Sequence, residues 1–407
     1  MIPIAKKLFN KDYILLLQSS AVSTIGDLMY SVAIGYWVFE QTGSSSLMGV
    51  MSAISMFVTM FLSPFSGSVI DKCNRKWVMV VMDLMQSAVM LTIGALAYLG
   101  KLTVPGVLLA AFLAALGSVF YSPATNTLLL DIIPRDDMVR GKSLFAGMNS
   151  LINTVGTAFS GVLVAFFGVP LIVVINGLSN LYAAVSELFI DVPRTAQQGE
   201  QVSVMGLLQD FSAAIKAILA DPCLRLFVPS ALLLNLLGAG PSSLILPFCM
   251  EKGLAVEKYG YFMTVFTAAY LICTLLLGVV RFSPKARFSI LSLGFSGSVV
   301  FMSALYLSSS FLPMCVFGFI GAFLNCAGNA VFNASLMLAL PEKNRGAILG
   351  FMQSASTGGM ALSAVVYGVL GDVFPLYLVF VAGSALSLVP MLYLSFHPQT
   401  KKFVLEH

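Results

Sequence analysis

The sequence predicts an all-α polytopic membrane protein: twelve transmembrane helices in two six-helix bundles, with both termini in the cytoplasm. Three observations carry this reading. Mean hydropathy is +0.93, 58% of residues are hydrophobic and only 10% are charged, whereas about a quarter of a soluble globular chain is charged. Apolar runs long enough to cross a hydrocarbon core of about 30 Å recur along nearly the whole length. Lys and Arg gather on alternate loops.

The elements follow in order. A short basic segment without a small-residue cleavage site leads into the first span, 12–38, which reads as an uncleaved helix. Spans at 47–70, 77–99, 104–130, 142–167 and 169–190 complete an N-terminal six-helix bundle over 1–190. Residues 191–222 form the one long hydrophilic stretch, expected as a cytoplasmic linker. Within it Ser203 introduces Val204, Leu207, Leu208, Phe211, Ile215 and Ile218 at helical spacing, opposite Gln209, Asp210 and Lys216. This pattern fits either an interfacial helix lying on the membrane or a solvated linker helix. Spans at 223–249, 258–280, 288–309, 312–339, 346–370 and 375–396 make a second bundle, so 223–407 is a C-terminal six-helix bundle with a short tail. Spans of this length are helices; a β-barrel would need far shorter ones.

The basic residues test the segmentation independently, because cytoplasmic loops carry the excess. One side holds Lys6, Lys7, Lys11, Lys72, Arg75, Lys76, Arg135, Arg140, Lys142, Arg194, Lys216, Arg225, Arg281, Lys285, Arg287, Lys343, Arg345, Lys401 and Lys402; the other holds Lys101, Lys252 and Lys258. Nineteen against three places both termini on the cytoplasmic side of the cell membrane, and an odd number of spans would scramble the alternation. The net charge of +4 belongs to this membrane-facing asymmetry and points to anionic lipid, with no nucleic-acid partner. The six cysteines lie mostly within spans without a CxxC, which argues against a disulfide framework and a metal cluster. There is no HExxH, GxSxG or phosphate-binding Gly-Lys-Ser/Thr loop, and both histidines sit at 397 and 407 in the tail. Neither enzymatic catalysis nor a cofactor is expected.

The residues Gly67-Ser-Val-Ile-Asp71-Lys72-Cys-Asn-Arg75-Lys76 place four charges in a tight turn between two apolar spans. They resemble the signature loop between the second and third helices of the major facilitator superfamily, Gly-x-x-x-Asp-(Arg/Lys)-x-Gly-(Arg/Lys)-(Arg/Lys). Asn74 stands where the second glycine would be; asparagine is the residue that most readily replaces glycine in a left-handed turn, so the departure is mild. Duplication is visible in two further loops. Ile133-Pro134 through Arg140-Gly141 precedes span five, and Leu340-Pro341 through Arg345-Gly346 precedes span eleven, each entering a small-residue-rich helix. Gly278 to Arg287 is a counterpart of the Gly67 loop without its acid. Parallel six-helix repeats of this kind build superfamily transporters. The segment from Gly117 through Pro123 and Asp131 to Pro134 is similar to the signature of the macrolide-efflux and enterobactin-exporter branch, which implies export of amphipathic compounds. Two departures leave coupling open: Ala110 to Leu116 lacks the arginine of proton-coupled drug antiporters, and span five carries Gly156-Thr157 and Ser160-Gly161 in place of their Gly-Pro and Gly-Gly.

Asp27 is the leading site candidate. It lies near the centre of span one on a stripe with Ser20, Ser23, Thr24, Tyr30 and Ser31. No buried cation is in sight to pair with it, and burial disfavours its charged form, so it is poised to take up a proton or a cationic substrate. The alternative is a protonated aspartate that hydrogen-bonds a neighbouring helix and orients it. Asp83, Asp131 and Glu187 fall close to the cytoplasmic surface and are weaker candidates.

The resemblance implies a conformational latch of Gly67, Asp71, Arg75 and Lys76, with Asp83 and Arg140 in the same charge cluster; a static loop anchor is the alternative. Cavity candidates come from polar stripes on the helices that line the cavity in this superfamily: Asn325, Asn329 and Asn333 at i, i+4, i+8, Asn149 and Asn153, and Asn235 with Ser242 one heptad on. Polar residues at this spacing also glue helices together. The 31 Phe, 13 Tyr and 21 Met would suit either a promiscuous apolar pocket or lipid contact. Together these features point to a monomeric secondary active transporter that exports drug- or macrolide-like small molecules by alternating access and proton antiport. Siderophore, lipid or small-nutrient transport on the same fold, and a transporter-like receptor or scaffold, are the other readings.

Overall fold

The computed structural model describes residues 8–134, 137–191, 204–222, 224–279, 284–339 and 345–396. Among them the regular elements are helices: α1 (Lys11–Thr42), α2 (Ser45–Lys72), α3 (Arg75–Tyr98), α4 (Val104–Ile132), α5 (Met138–Leu188), α6 (Val204–Ala220), α7 (Leu224–Ser243), α8 (Ile245–Glu251), α9 (Val256–Val279), α10 (Pro284–Leu307), α11 (Phe311–Ala339), α12 (Arg345–Val373) and α13 (Leu376–Phe396). The loops at 280–283 and 340–344, the tail with His397 and His407, and the 192–203 stretch lie outside the described residues.

The chain divides into two compact units. Unit 1 holds α1, α2 from Ile54 onward, α3, α4, α5 and the first turns of α9; unit 2 holds the start of α2 to Ala53, α6 to α8, the rest of α9 and α10 to α13. In unit 1, α5 packs along both α1 and α3, and α4 lies against α3. A core of Leu8, Tyr13, Leu16, Ile70, Met79, Leu128 and Ile132 closes one end. In unit 2, α12 packs on α7, and α10 on α11 and α13, around Phe227, Leu291, Phe295, Phe332 and Met352.

One sequence expectation changes. Span seven, expected unbroken over 223–249, divides at Leu244 into α7 and α8. Pro241 and Pro247 flank the break, each lacking an amide proton for the helical ladder. Asn74 is not left-handed: it sits at φ −72° and ψ 113° as the N-cap of α3, its side chain accepting from the Lys76 amide. A capping role uses the asparagine oxygen, where a left-handed turn would have used only its tolerance of positive φ. The apolar face of α6 is partly spent on protein, because Ala214 and Ile218 are buried in the unit 2 core while Ile215 and Leu219 stay exposed. Among the described residues, ten helical segments are long and apolar enough to span a membrane. The first arm of α5 and α12 are not among them; their Asn149, Asn153, Gln353, Ser354 and Thr357 dilute otherwise apolar runs.

Spans five and six form one 51-residue helix interrupted at Gly168, where φ is 71° and ψ 161°. Only glycine takes that conformation without strain, so Gly168 turns the chain into a second arm that starts at Val169-Pro170. At the far end of α12, Asp372 lies two residues beyond the apolar run that ends at 370. Its carboxylate accepts from Ser44 Oγ at 2.9 Å, from the Ser45 amide at 2.5 Å and from the Ser46 amide at 3.2 Å, capping the start of α2. Partial burial pushes this carboxyl upward, but the hydrogen bonds from Ser46, Ser44 and Ser45 outweigh it and hold it below the usual carboxylate value. A carboxyl held low contributes stability above its ordinary range and loses it as pH falls through its folded value. Asp372→Ala should therefore lower the melting temperature at neutral pH, by an amount matching about 1 kcal/mol for a lost cap. The gap to wild type should close in acid, as followed by fluorescence-detected melting across pH.

Candidate functional site

Unit 1 brings Asp27 against a polar patch that sequence reading did not single out. The Asp27 side chain is exposed, and the side chains of Asn176 and Asn180 on the second arm of α5 face its carboxylate. Asn180 Nδ2 donates to Asn176 Oδ1 at 3.0 Å, and Ser179 Oγ donates to the Asn176 carbonyl at 2.8 Å. All three are buried, and Asn176 Nδ2 has no partner among the described residues. Gly26 permits this arrangement: a Cβ there would overlap Ser179 Oγ and come within 2.6 Å of Asn176 Oδ1. The signal was available as Asn176, Ser179 and Asn180 at i, i+3 and i+4, one polar face in an apolar span. Asp27 has no salt-bridge partner among the described residues.

The rest of the α1 stripe is mixed. Ser23 is buried and donates to the Ser20 carbonyl of its own helix at 3.3 Å. Tyr30 is buried with its hydroxyl unpartnered among the described residues, Thr24 is half-buried, and Ser31 is exposed. On the first arm of α5, Asn153 Nδ2 donates to the Asn149 carbonyl at 2.8 Å.

Unit 2 gathers the other candidates. Asn235 and Ser242 of α7 and Asn325, Asn329 and Asn333 of α11 line one cavity of about 500 Å³. Gln353 and Ser356 of α12 extend its amide and hydroxyl surface, and Phe295, Phe332, Met352 and Met391 supply the apolar part. Asn325 Oδ1 accepts from both Tyr270 OH at 3.0 Å and Asn329 Nδ2 at 2.9 Å, so its orientation is fixed. A second cavity of about 430 Å³, lined by Met263, Phe266, Tyr270, Met302 and Tyr306, shares Ser242, Asn325 and Met391 with the first. Neither cavity has an Asp, Glu, Lys, Arg or His in its wall among the described residues. Such a surface can hold neutral hydrogen-bonding groups and flat apolar ones, and offers nothing to grip an anion.

The latch candidates part company. Arg75 is 8% exposed and pairs with Asp131 of α4. Lys76 Nζ donates to the Leu188 carbonyl at the end of α5 at 2.6 Å. Gly67 and Arg140 are exposed, and the Asp71 side chain lies outside the described residues. Asp83 does not join this cluster. It sits eight residues into α3, roughly 12 Å along the helix from Arg75, and is buried.

The chain matches the family described as transmembrane secretion effector over residues 2–402. It belongs to that family of the major facilitator superfamily. Among its relatives is macrolide efflux protein A of Streptococcus pyogenes, 23% identical over 174 residues that cover 43% of each chain. That match spans less than half of the relative's length. The uncharacterized MFS-type transporter YjbB of Bacillus subtilis is 23% identical over 400 residues, 95% of each chain. Among solved structures, the nucleoside transporter NupG superposes with a TM-score of 0.72 at 14% identity, covering 93% of this chain and 97% of that one. A bacterial homologue of the lysosomal transporter Spinster gives 0.71 at 14% identity over 98% and 97%. The fold is thus that of a multi-pass membrane transporter, and the protein is not an enzyme.

Arg75→Ala strands Asp131 in a mostly buried position and should cost about 3 kcal/mol. Adding Asp131→Asn should recover part of that loss, which a double-mutant cycle of thermal melting in detergent would read as non-additivity.

Proposed function

We propose that this transporter exports amphipathic small molecules of drug or macrolide type from the cell by alternating access, in exchange for protons. The observation that carries the reading is the uncharged cavity of unit 2, with amides and hydroxyls on one part of its wall and Phe and Met on another. An amphipathic macrocycle offers the matching chemistry: scattered hydroxyl and carbonyl groups on a large apolar body. Adaptable Met side chains accept varied shapes, as export of several compounds requires. Asn235, Ser242, Asn325 and Asn329 are the proposed substrate contacts.

Asp27 is the proposed exchange residue. It is accessible, has no cation paired with it among the described residues, and faces two asparagines whose amide groups can bond either its neutral or its charged form. Binding a proton and binding a cationic group are alternatives at one carboxylate, which is the minimum an antiporter needs. The Arg75–Asp131 pair and the Lys76 contact to Leu188 are the proposed latch, breaking and re-forming as the cycle proceeds. Twelve spans with both termini cytoplasmic are the proposed topology, supported by the nineteen-to-three distribution of Lys and Arg.

The test is accumulation of a radiolabelled macrolide and a cationic dye in pump-deficient bacteria. Wild type should lower accumulation of at least one compound, and a protonophore should abolish the effect. At equal expression, Asp27→Asn should abolish it too, whereas Asn325→Leu combined with Asn329→Leu should weaken it several-fold. Unchanged accumulation of both compounds in wild type would contradict drug export.

A further inference from the structure

Unit 1 contains a second ionisable site that the functional reading above does not use. Asp83 of α3 is 2% exposed and Glu187, in the last turn of α5, is 1% exposed. Each carries one carboxyl oxygen, Asp83 Oδ2 and Glu187 Oε2, with no hydrogen-bond partner among the described residues. The other Glu187 oxygen accepts from Tyr121 OH of α4 at 2.9 Å and from Ser19 Oγ of α1 at 3.4 Å. Gly94 packs on Val174 and Gly177 on Leu91, so α3 runs antiparallel to the second arm of α5, and the contact of Gly117 with Gln86 sets α4 beside the same stretch; this brings Asp83 to the level of Tyr121 and Glu187, where four helices meet.

The neighbouring charges do not neutralise them. On α3, Arg75 is paired with Asp131 of α4 and Lys76 is held on the Leu188 carbonyl. On α1, Asp27 also acts on Asp83, adding negative charge, and Asp12 is turned to the Asp191 amide. Tyr121 is a hydroxyl donor with no charge of its own to offer at neutral pH. Glu187 further sits at the negative end of a helix dipole, which disfavours a second negative charge there. Two carboxyls so placed cannot both be ionised, because like charges in a dry site repel without screening. A pair of this kind titrates as a unit and holds a proton where an isolated surface acid would have lost it.

We propose that Asp83 and Glu187 form a shared proton-binding site, with Tyr121 and Ser19 fixing the Glu187 oxygen that they bond while the free oxygens carry the proton. Loading takes one proton from water onto the carboxylate pair and returns it on release, with no other bond made or broken. The site would serve the proton exchange proposed above, and so rests on that reading for its role; its proton binding is testable without any substrate.

The experiment is an infrared difference titration of the purified, substrate-free full chain, reading the C=O stretch of protonated carboxyl groups. Wild type should show a carboxyl still protonated at pH values where ordinary surface carboxylates are already ionised, which ionises as pH rises further. Asp83→Asn and Glu187→Gln should each move that titration down by about one pH unit or more, and the double variant, made in the Asp27→Asn background so that no Asp27 carboxyl contributes, should lose it. Asp27→Asn should keep the band, which separates failure of this site from failure of the Asp27 reading. Tyr121→Phe, which preserves packing, removes a donor to the anion and should move the titration upward. A wild type without such a carboxyl, a double variant that retains it, or a Tyr121→Phe titration that does not move would overturn the site.

Discussion

Hydrocarbon offers no partner for a polar group, so each charge or donor carried into the spans must be satisfied by protein or stay neutral. That constraint arranges this molecule. With only 22 basic and 18 acidic residues in 407, the chain keeps its cations near helix ends and admits a few acids deeper. Arg75, a buried cation at the start of α3, is matched by Asp131 of α4. Serine and threonine hydroxyls mostly turn back to carbonyls one turn earlier, as at Thr125, Thr157 and Ser230. The polar groups left over are few, and they are where function is to be sought: Asp27 with Asn176 and Asn180, Asp83 with Glu187, and the amides of the unit 2 cavity.

Those leftovers are distributed unevenly between the units. Unit 1 holds the deep carboxyls, while both unit 2 cavities are walled by neutral residues. In the proposed mechanism this is a division of labour, with protons handled by carboxyls of one unit and neutral parts of the substrate by amides and rings of the other. Keeping charge out of the substrate wall has a physical benefit, since an apolar macrocycle need not desolvate an ion to bind.

Much of the fold was legible because membrane burial imposes long, simple patterns. The helical class follows from span length alone, and the asparagines of α11 at four-residue intervals lie on one face by arithmetic, a face that lines the cavity. The Leu244 break was less visible, because prolines within spans often leave a helix intact, as Pro64 and Pro123 do here. Asn74 is ambiguous in sequence because capping and left-handed turns select the same residue type, and only the backbone angle separates them. Asp83 and Glu187 were ranked low by distance from the membrane face, a measure blind to the fact that α3 and α5 pack side by side and bury both. Pairing across 104 positions of chain has no periodicity to reveal it.

The most direct test of proton-driven export is substrate-induced proton movement in liposomes containing only this protein and an internal pH-sensitive dye. Antiport predicts that a transported macrolide or cationic dye added outside enters as protons leave, so that the interior becomes more alkaline. The proton flux should be proportional to substrate flux and absent from empty liposomes. Substrate that crosses at the same rate whether or not a pH gradient is present, with no change in internal pH, would contradict proton coupling and leave a facilitator driven by the substrate's own gradient.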